Sequence, residues 1–278
     1  MVIPSKKVNE SLRDTATVLS SMTSAIFARV GSHSDIDELA RYSTVPIVNA
    51  LSDTAHPLQT IADLLTMHEE MMERSSSIDK SEDPFSKAGN NSLDLSGLKV
   101  AWVGDANNVL FDLAIAAAKL GVIISVAAPK GYGLPTEVIK SIQVAAASAG
   151  QNSHKLLEFT SPADAIQDAN FILTDTWVSM GQEEEKAKRL KAFAGYQISN
   201  ELIKKGTPKN DWRFMHCLPR HAEEVDDEIF YGPHSLVFRE AENRLYAAMG
   251  KPFKPIFDHL TDPNVAALEA FVMRERVS

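Results

Sequence analysis

A single cysteine in 278 residues excludes an internal disulfide framework and fits a reducing compartment. No apolar run approaches the roughly 20 residues needed to cross a bilayer, so no membrane partner is expected. Positive charge is scarce as well. Lys and Arg number 28 against 37 Asp and Glu, a net charge of −9, which argues against a general nucleic-acid binder. It does not argue against a small anionic substrate, because a few local Arg and His residues can hold a phosphate. The opening Met1-Val-Ile-Pro-Ser-Lys-Lys carries neither a secretory apolar stretch nor an Arg-rich amphipathic presequence. Gly104-Asp105-Ala106 lies between a strand and a helix but lacks the glycine pair of a dinucleotide fingerprint, leaving a nicotinamide cofactor as a weak alternative. No internal repeat is visible.

What is present is a chain long enough for two ordinary domains, 44% hydrophobic and 23% charged. Leu12, Ala16, Leu19 and Met22 recur at helical spacing. Two strand–helix units follow: Ala25 to Val30 with Ser34 to Ala40, then Pro46 to Ala50 with a long helix from about Asp53. That helix carries Ile61, Leu64, Leu65, His68 and Met72 on one face. Residues 73–97 are polar and turn-rich and read as a linker. Beyond it, strands at Lys99–Val103, Val122–Ala127, Phe171–Thr174 and Trp212–Met215 alternate with helices at Asn107–Leu120, Thr136–Ala147, Ser161–Ala169 and Glu183–Phe193. This alternation predicts an α/β protein of two doubly wound parallel-sheet domains, the first incomplete. The expected division is 1–72 with the interdomain helix, linker 73–97, a second domain 98–249, and an interrupted C-terminal helix over 250–278.

The chemistry concentrates at Arg213-Phe-Met-His216-Cys217-Leu218-Pro219-Arg220, where a short apolar strand gives way to polar residues. Ligands of open α/β sheets bind beyond the carboxyl ends of their strands. The bland alternative is that Cys217 is a small buried hydrophobe. Arg29 ends the first strand, and His56-Pro57-Leu58-Gln59 opens the long helix, where a helix N-terminus favours an anion or a polarised carbonyl. Asp175, after Phe171–Thr174, can pair with an ammonium group, and Ser179 with Met180 can present a hydroxyl and a backbone N–H to a carboxylate.

His-Cys-Leu-Pro-Arg, Asp175-Thr-Trp-Val-Ser179-Met180-Gly181 and His56-Pro-Leu-Gln59 resemble, in the right order along the chain, the motifs of the ornithine carbamoyltransferases. The resemblance runs from about Val8 to Met249 and resumes near the C-terminus. It implies transfer of a carbamoyl group from carbamoyl phosphate to the side-chain amine of L-ornithine, giving citrulline and phosphate, with no cofactor and no metal. On this resemblance Arg29 and His56 hold the carbonyl and phosphate oxygens, and Gln59 orients the carbamoyl nitrogen. Asn108, Asp175, Ser179 and Met180 take the amino acid, Cys217 and Leu218 crowd the reacting centre, and Arg244 is an anion ligand. Whether Cys217 accepts a proton or positions ornithine stays open. Family members are usually homotrimers, and eukaryotic ones imply the mitochondrial matrix, with the cytoplasm as the alternative.

Two departures stand out. The family's phosphate loop, Ser-Thr-Arg-Thr-Arg, occurs nowhere in the chain, so the chain is expected to be N-terminally truncated and impaired. An inactive or binding-only protein, or a carbamoyltransferase for another amine, are the alternatives. Gly250 to Val265 carries three prolines between two helical patterns. Its ends, Gly250-Lys251 and Val265-Ala266, are encodable with splice donor and acceptor sequences, so a retained intron is expected rather than a surface insertion.

Overall fold

The structure is a computed structural model that describes residues 10–78, 95–151, 154–178, 185–249 and 272–273. The segment Gly250 to Val265, and with it the expected intron, lies outside these residues, as do Ser179 and Met180.

The first unit begins with α1 (Leu12–Met22), whose N-cap Ser11 accepts from the Asp14 backbone N–H. β1 (Ile26–Arg29), α2 (His33–Tyr42) and β2 (Ile47–Leu51) follow, with β1 and β2 parallel. Ala16, Ile26, Ala28, Ile36, Leu39 and Ile47 form the small core they enclose. Met22, the last of the helically spaced apolar positions, is 69% exposed at the end of α1.

The long helix α3 (Pro57–Ile78) runs past the expected boundary at Glu73. Ser75 is compatible with the helix because its hydroxyl donates to the Met71 carbonyl one turn back. Arg74 also bonds Glu70 within the helix and Asp211 outside it. Its buried face includes Ile61, Leu64, Leu65 and Met67, while Met72 is 40% exposed.

The second unit contains β3 (Lys99–Val103), α4 (Asn108–Lys119), β4 (Ile123–Ala127), α5 (Thr136–Ser148), β5 (Leu156–Phe159), α6 (Pro162–Ile166) and β6 (Phe171–Thr174). It continues through α7 (Lys186–Ala192), α8 (Asn200–Gly206), β7 (Arg213–His216), α9 (Asp227–Phe230) and α10 (Val237–Met249). Its five strands lie in the order β5-β4-β3-β6-β7, all parallel. One hydrophobic cluster lies on each face, centred on Trp102 and Phe171 on one side and Phe193 and Phe214 on the other. This is the doubly wound arrangement expected from the alternation. The connection reverses direction across the sheet at β3, which has β4 on one side and β6 on the other; loops after β3 and β6 therefore diverge and open a crevice.

β5 and α8 were not expected from the sequence. β5 is a four-residue edge strand with no fully buried side chain, so it carries no alternation to read. The expected helix over Ser161–Ala169 is only five residues, Pro162–Ile166. Asp168 sits at a left-handed φ of 55° with its N–H donated to the Thr207 carbonyl. At the C-terminus, Val272–Met273 forms β8, antiparallel to β2, so Val272 is a strand residue and not part of the expected helix.

α10 packs along α3, fastening the second unit to the first. Arg239 bonds Glu69 and Glu73, and Asn243 donates to Thr66 and Glu69.

Candidate active site

Three consecutive strands deliver side chains to the crevice. β3 ends at Gly104, where φ is +136° and an added Cβ would lie 3.1 Å from Thr174 Oγ1 and Trp177 Nε1. The chain then turns into Asn107, whose side-chain oxygen caps α4 by accepting the N–H groups of Val109 and Leu110. That cap fixes the Asn107 amide so that its Nδ2 donates to Asp175 Oδ2 at 2.6 Å. Thr174 pairs with His216 across β6 and β7, which sets Asp175 and Cys217 side by side. The Cys217 thiol donates to Asp175 Oδ1 at 3.0 Å. Leu218 follows at φ 62°, a left-handed conformation costly for a side chain and concentrated at functional sites.

The first unit supplies the opposite wall. The His56 backbone N–H at the start of α3 donates to Asp112 Oδ2 of α4 at 2.6 Å, and Asn108 Nδ2 donates to the Ser52 carbonyl at 2.7 Å. These two bonds hold the units together at the crevice floor. Arg29, His56, Asn108, Asp175, Cys217, Leu218 and Arg244 all line one cavity of about 940 Å³.

Gln59, expected to orient the carbamoyl nitrogen, is fully buried. Its Nε2 donates to Asp63 Oδ1 at 2.8 Å and to Glu240 Oε1 at 2.9 Å. Asn107, at the N-cap position beside Asn108, is turned toward β6 and bonds Asp175, while Asn108, expected on the amino-acid side, lines the cavity.

Electrostatics divide the cavity into two characters. Burial, reinforced by the Arg244 and Arg29 guanidinium groups, lowers the His56 pKa to about 3, so its ring is an uncharged hydrogen-bonding group at neutral pH. Its Nδ1 is buried with no partner among the described residues. On the other side, burial and the Asp175 carboxylate raise the Cys217 thiol well above its ordinary value. At neutral pH Cys217 is therefore a thiol donating to Asp175, not a thiolate.

His216 is placed by its neighbours. Its Nδ1 accepts the Leu218 N–H at 3.0 Å, which leaves the ring proton on Nε2, 3.1 Å from Glu224. Burial raises the Glu224 carboxyl, but hydrogen bonds from His216 and His221 outweigh it and hold the carboxyl below its usual range. Arg189 pairs with Asp105 at 2.9 Å in the buried wall, beside the Trp177 carbonyl.

Ligand atoms of Asp175, His216 and Cys217 lie within 4.8 Å of one another, a spacing a metal ion can use. Each is already engaged, however: Asp175 by Asn107 and Cys217, and His216 by Leu218 and Glu224. The donor set fits an internally satisfied hydrogen-bond network better than a resident metal.

Asp63, Asn107, Asp112, Arg189, Glu224 and Glu240 are site-supporting residues that were not singled out from the sequence. Gln59 and Asp63 are four apart on one helix, a spacing that signals contact. Nothing local links either to Glu240, 181 residues away from Gln59.

A neutral imidazole and two guanidiniums facing a carboxylate–thiol pair across a domain junction define the class: a two-domain α/β enzyme for small charged substrates. Comparison with known proteins narrows it. The family profile "Aspartate/ornithine carbamoyltransferase, Asp/Orn binding domain" matches residues 96–251, and that of the carbamoyl-P binding domain matches residues 2–69. The mitochondrial ornithine carbamoyltransferase of Coccidioides immitis is 53% identical over 268 residues, covering 96% of this chain and 70% of that relative. The mitochondrial ornithine transcarbamylase of Gallus gallus is 47% identical, covering 87% of this chain and 61% of that relative. Among solved structures, the ornithine carbamoyltransferase of Pyrococcus furiosus superposes with a TM-score of 0.74 at 39% identity, covering 92% of this chain and 72% of that one. The chain belongs to the aspartate/ornithine carbamoyltransferase family and spans about two thirds of the length of the curated relatives it matches.

Proposed function

We propose that the interdomain cavity transfers a carbamoyl group from carbamoyl phosphate to the side-chain amine of ornithine. The observation that carries this reading is the convergence of Arg29, His56 and Arg244 with Asp175 and Cys217 on one cavity. The first three suit a phosphate and a developing oxyanion; the last two suit an amino acid.

In this reading the uncharged δ-amine attacks the carbonyl carbon of carbamoyl phosphate. The carbonyl oxygen gains negative charge, which Arg29 and a His56 N–H stabilise without any proton transfer from a charged imidazolium. The carbon–oxygen bond to phosphate then breaks, its electron pair leaves with the phosphate, and the proton lost by the amine ends on that phosphate. Asp175 accepts from the α-ammonium group, and the Cys217 thiol, a donor to Asp175 in the free protein, positions ornithine rather than acting as a nucleophile. Ser179, Met180, Asn108 and Leu218 complete the amino-acid side, and Gln59 the carbamoyl side. The relatives' names support the mitochondrion as the compartment, and a homotrimer is part of the same reading. The net charge of −9 supports small-molecule rather than nucleic-acid partners. Among the described residues no helix is long and apolar enough to cross a membrane.

The test is citrulline formation from carbamoyl phosphate and ornithine by the purified protein at high enzyme concentration, paired with calorimetric binding of each substrate. Citrulline that depends on Asp175 supports the reading. Absence of binding by both substrates overturns it.

A further inference from the structure

Behind His56, two acids from different domains face one amide. Asp63 lies one turn beyond Gln59 on α3, and Glu240 comes from α10. Asp63 and Gln59 are fully buried, and Glu240 is 1% exposed. Both hydrogens of the Gln59 amide are used, one on each carboxyl. Glu240 Oε2 takes the His216 N–H at 2.8 Å, whereas Asp63 Oδ2 is buried and meets no donor among the described residues. Two carboxylates this close in a buried site cannot both be ionised without severe repulsion, so the pair must hold a proton between them.

We propose that Asp63 and Glu240 are a proton-sharing positioning pair that locks the Gln59 amide so that only its Oε1 is left to recognise the carbamoyl group. This deepens the carbamoyl-transfer reading and rests on it.

The direction of the lock follows from hydrogen-bond polarity. Turning the amide over would replace two N–H donors by an oxygen that at most one shared proton could meet, so the network favours the present orientation. Oε1 is buried and has no partner among the described residues. Gln59 also lies three residues beyond His56, on the same side of the first turn of α3. An acceptor held there rewards a ligand that brings an N–H. It gains nothing from an acyl phosphate that offers a methyl group at the same place, so the pair sets the choice of carbamoyl over acetyl phosphate. Other charged groups bearing on the pair are Arg244 on α10, which favours ionisation, and Asp175 on the β6 loop, which opposes it. Burial comes first among the causes and raises the Asp63 carboxyl to about 7; burial and the neighbouring Asp63 raise Glu240 well above its ordinary value. Through Glu240 Oε2 and the His216 N–H, the same pair ties Gln59 to the strand end that carries Cys217.

Two measurements on the intact chain test this. Infrared difference spectra at neutral pH should show a buried carboxylic-acid carbonyl stretch that Asp63→Asn and Glu240→Gln each remove or shift. Calorimetry then compares carbamoyl phosphate with acetyl phosphate. The wild type and Glu240→Gln, whose amide hydrogen replaces the shared proton, should both prefer carbamoyl phosphate. Asp63→Ala and Glu240→Ala should lose that preference by roughly tenfold while inorganic phosphate binds as before. A wild type lacking the acid stretch, or folded alanine variants that keep the full preference, overturns the proposal. If the wild type binds acetyl phosphate and inorganic phosphate but shows no preference, the positioning role fails while anion binding stands. Failure to bind any of the three overturns the carbamoyl-transfer reading and the pair's role in it, and the infrared result then decides the shared proton separately.

Discussion

Asp175 is the residue on which the amino-acid side turns. Asn107 and Cys217 donate to its two oxygens, so it is held as an acceptor aimed into the cavity. Asp175→Asn keeps the shape but removes the charge, and half of the amide would present N–H groups to existing donors. Ornithine binding should weaken tenfold or more, about 1.4 kcal/mol or above, with inorganic phosphate binding unchanged; calorimetry with the two ligands checks it. Cys217→Ser, which retains a donor to Asp175, should be far milder than Cys217→Ala. The buried acids add a pH dependence. Burial raises Asp112 to about 7, only partly opposed by the His56 N–H it accepts. A carboxyl whose folded pKa lies above its unfolded value contributes stability that is full below the unfolded pKa and is lost as pH rises to the folded one. The loss therefore falls between about pH 4 and pH 7. Asp112→Asn keeps a carbonyl acceptor without the charge and should raise stability at pH 8 by on the order of 4 kcal/mol relative to its effect at pH 4, about three pKa units; urea titrations at the two values measure this. At this scale the sequence disclosed what a motif can disclose. His56, Asp175 and Cys217 stand out by type and position. The orientation of Gln59 does not, because it is set by Glu240, a partner no local pattern connects to it.

At the scale of elements, the clamp between α3 and α10 joins the two units, and its strength lies in its buried part. Asn243 is 2% exposed and donates to both Thr66 and Glu69. Arg239 makes more bonds, to Glu69 and Glu73, but its side chain is 29% exposed and Glu73 is 64% exposed. Exposed ion pairs contribute about 0–1 kcal/mol, whereas a buried acceptor left without its donor costs about 1–3 kcal/mol. Asn243→Ala should therefore destabilise more than Arg239→Ala, although it removes no charge; chemical denaturation of both variants decides the order. Elements were legible where burial is complete. β3 matches its expected residues Lys99–Val103, since a central parallel strand is a near-continuous apolar run, here Val100 to Val103. The edge strand β5 has no such run. The Ser75 region looked like a loop because serine favours one in isolation, yet tertiary bonds through Arg74 and the backbone-directed Ser75 hydroxyl keep α3 helical.

At the scale of the whole molecule, the α/β class with parallel sheets was legible from strand–helix alternation, but the junction was not. The cavity depends on contacts between residues far apart in the chain, His56 with Asp112 and Asn108 with Ser52. It is also where the chain departs from its family's pattern. Ser-Thr-Arg-Thr-Arg is not among these 278 residues. On the anion side the cavity has Arg29 and Arg244 as charged groups, and His56 is uncharged because burial and those same arginines hold its pKa near 3. Charge-assisted hydrogen bonds contribute about 1.5–3 kcal/mol each, so lacking even two of them corresponds to roughly a hundredfold or more in rate or affinity. A polypeptide of these 278 residues should accordingly show kcat/KM for carbamoyl phosphate at least about a hundredfold below that of the Coccidioides immitis relative assayed alongside it. Its binding of ornithine should suffer much less, because Asn107, Asp175 and Cys217 all belong to the second unit and are already bonded to one another. Equal kcat/KM values in the two proteins would show that Arg29 and Arg244 suffice for the phosphate. A loss of ornithine binding as large as the loss of carbamoyl phosphate binding would show instead that the two halves of the cavity do not act separately.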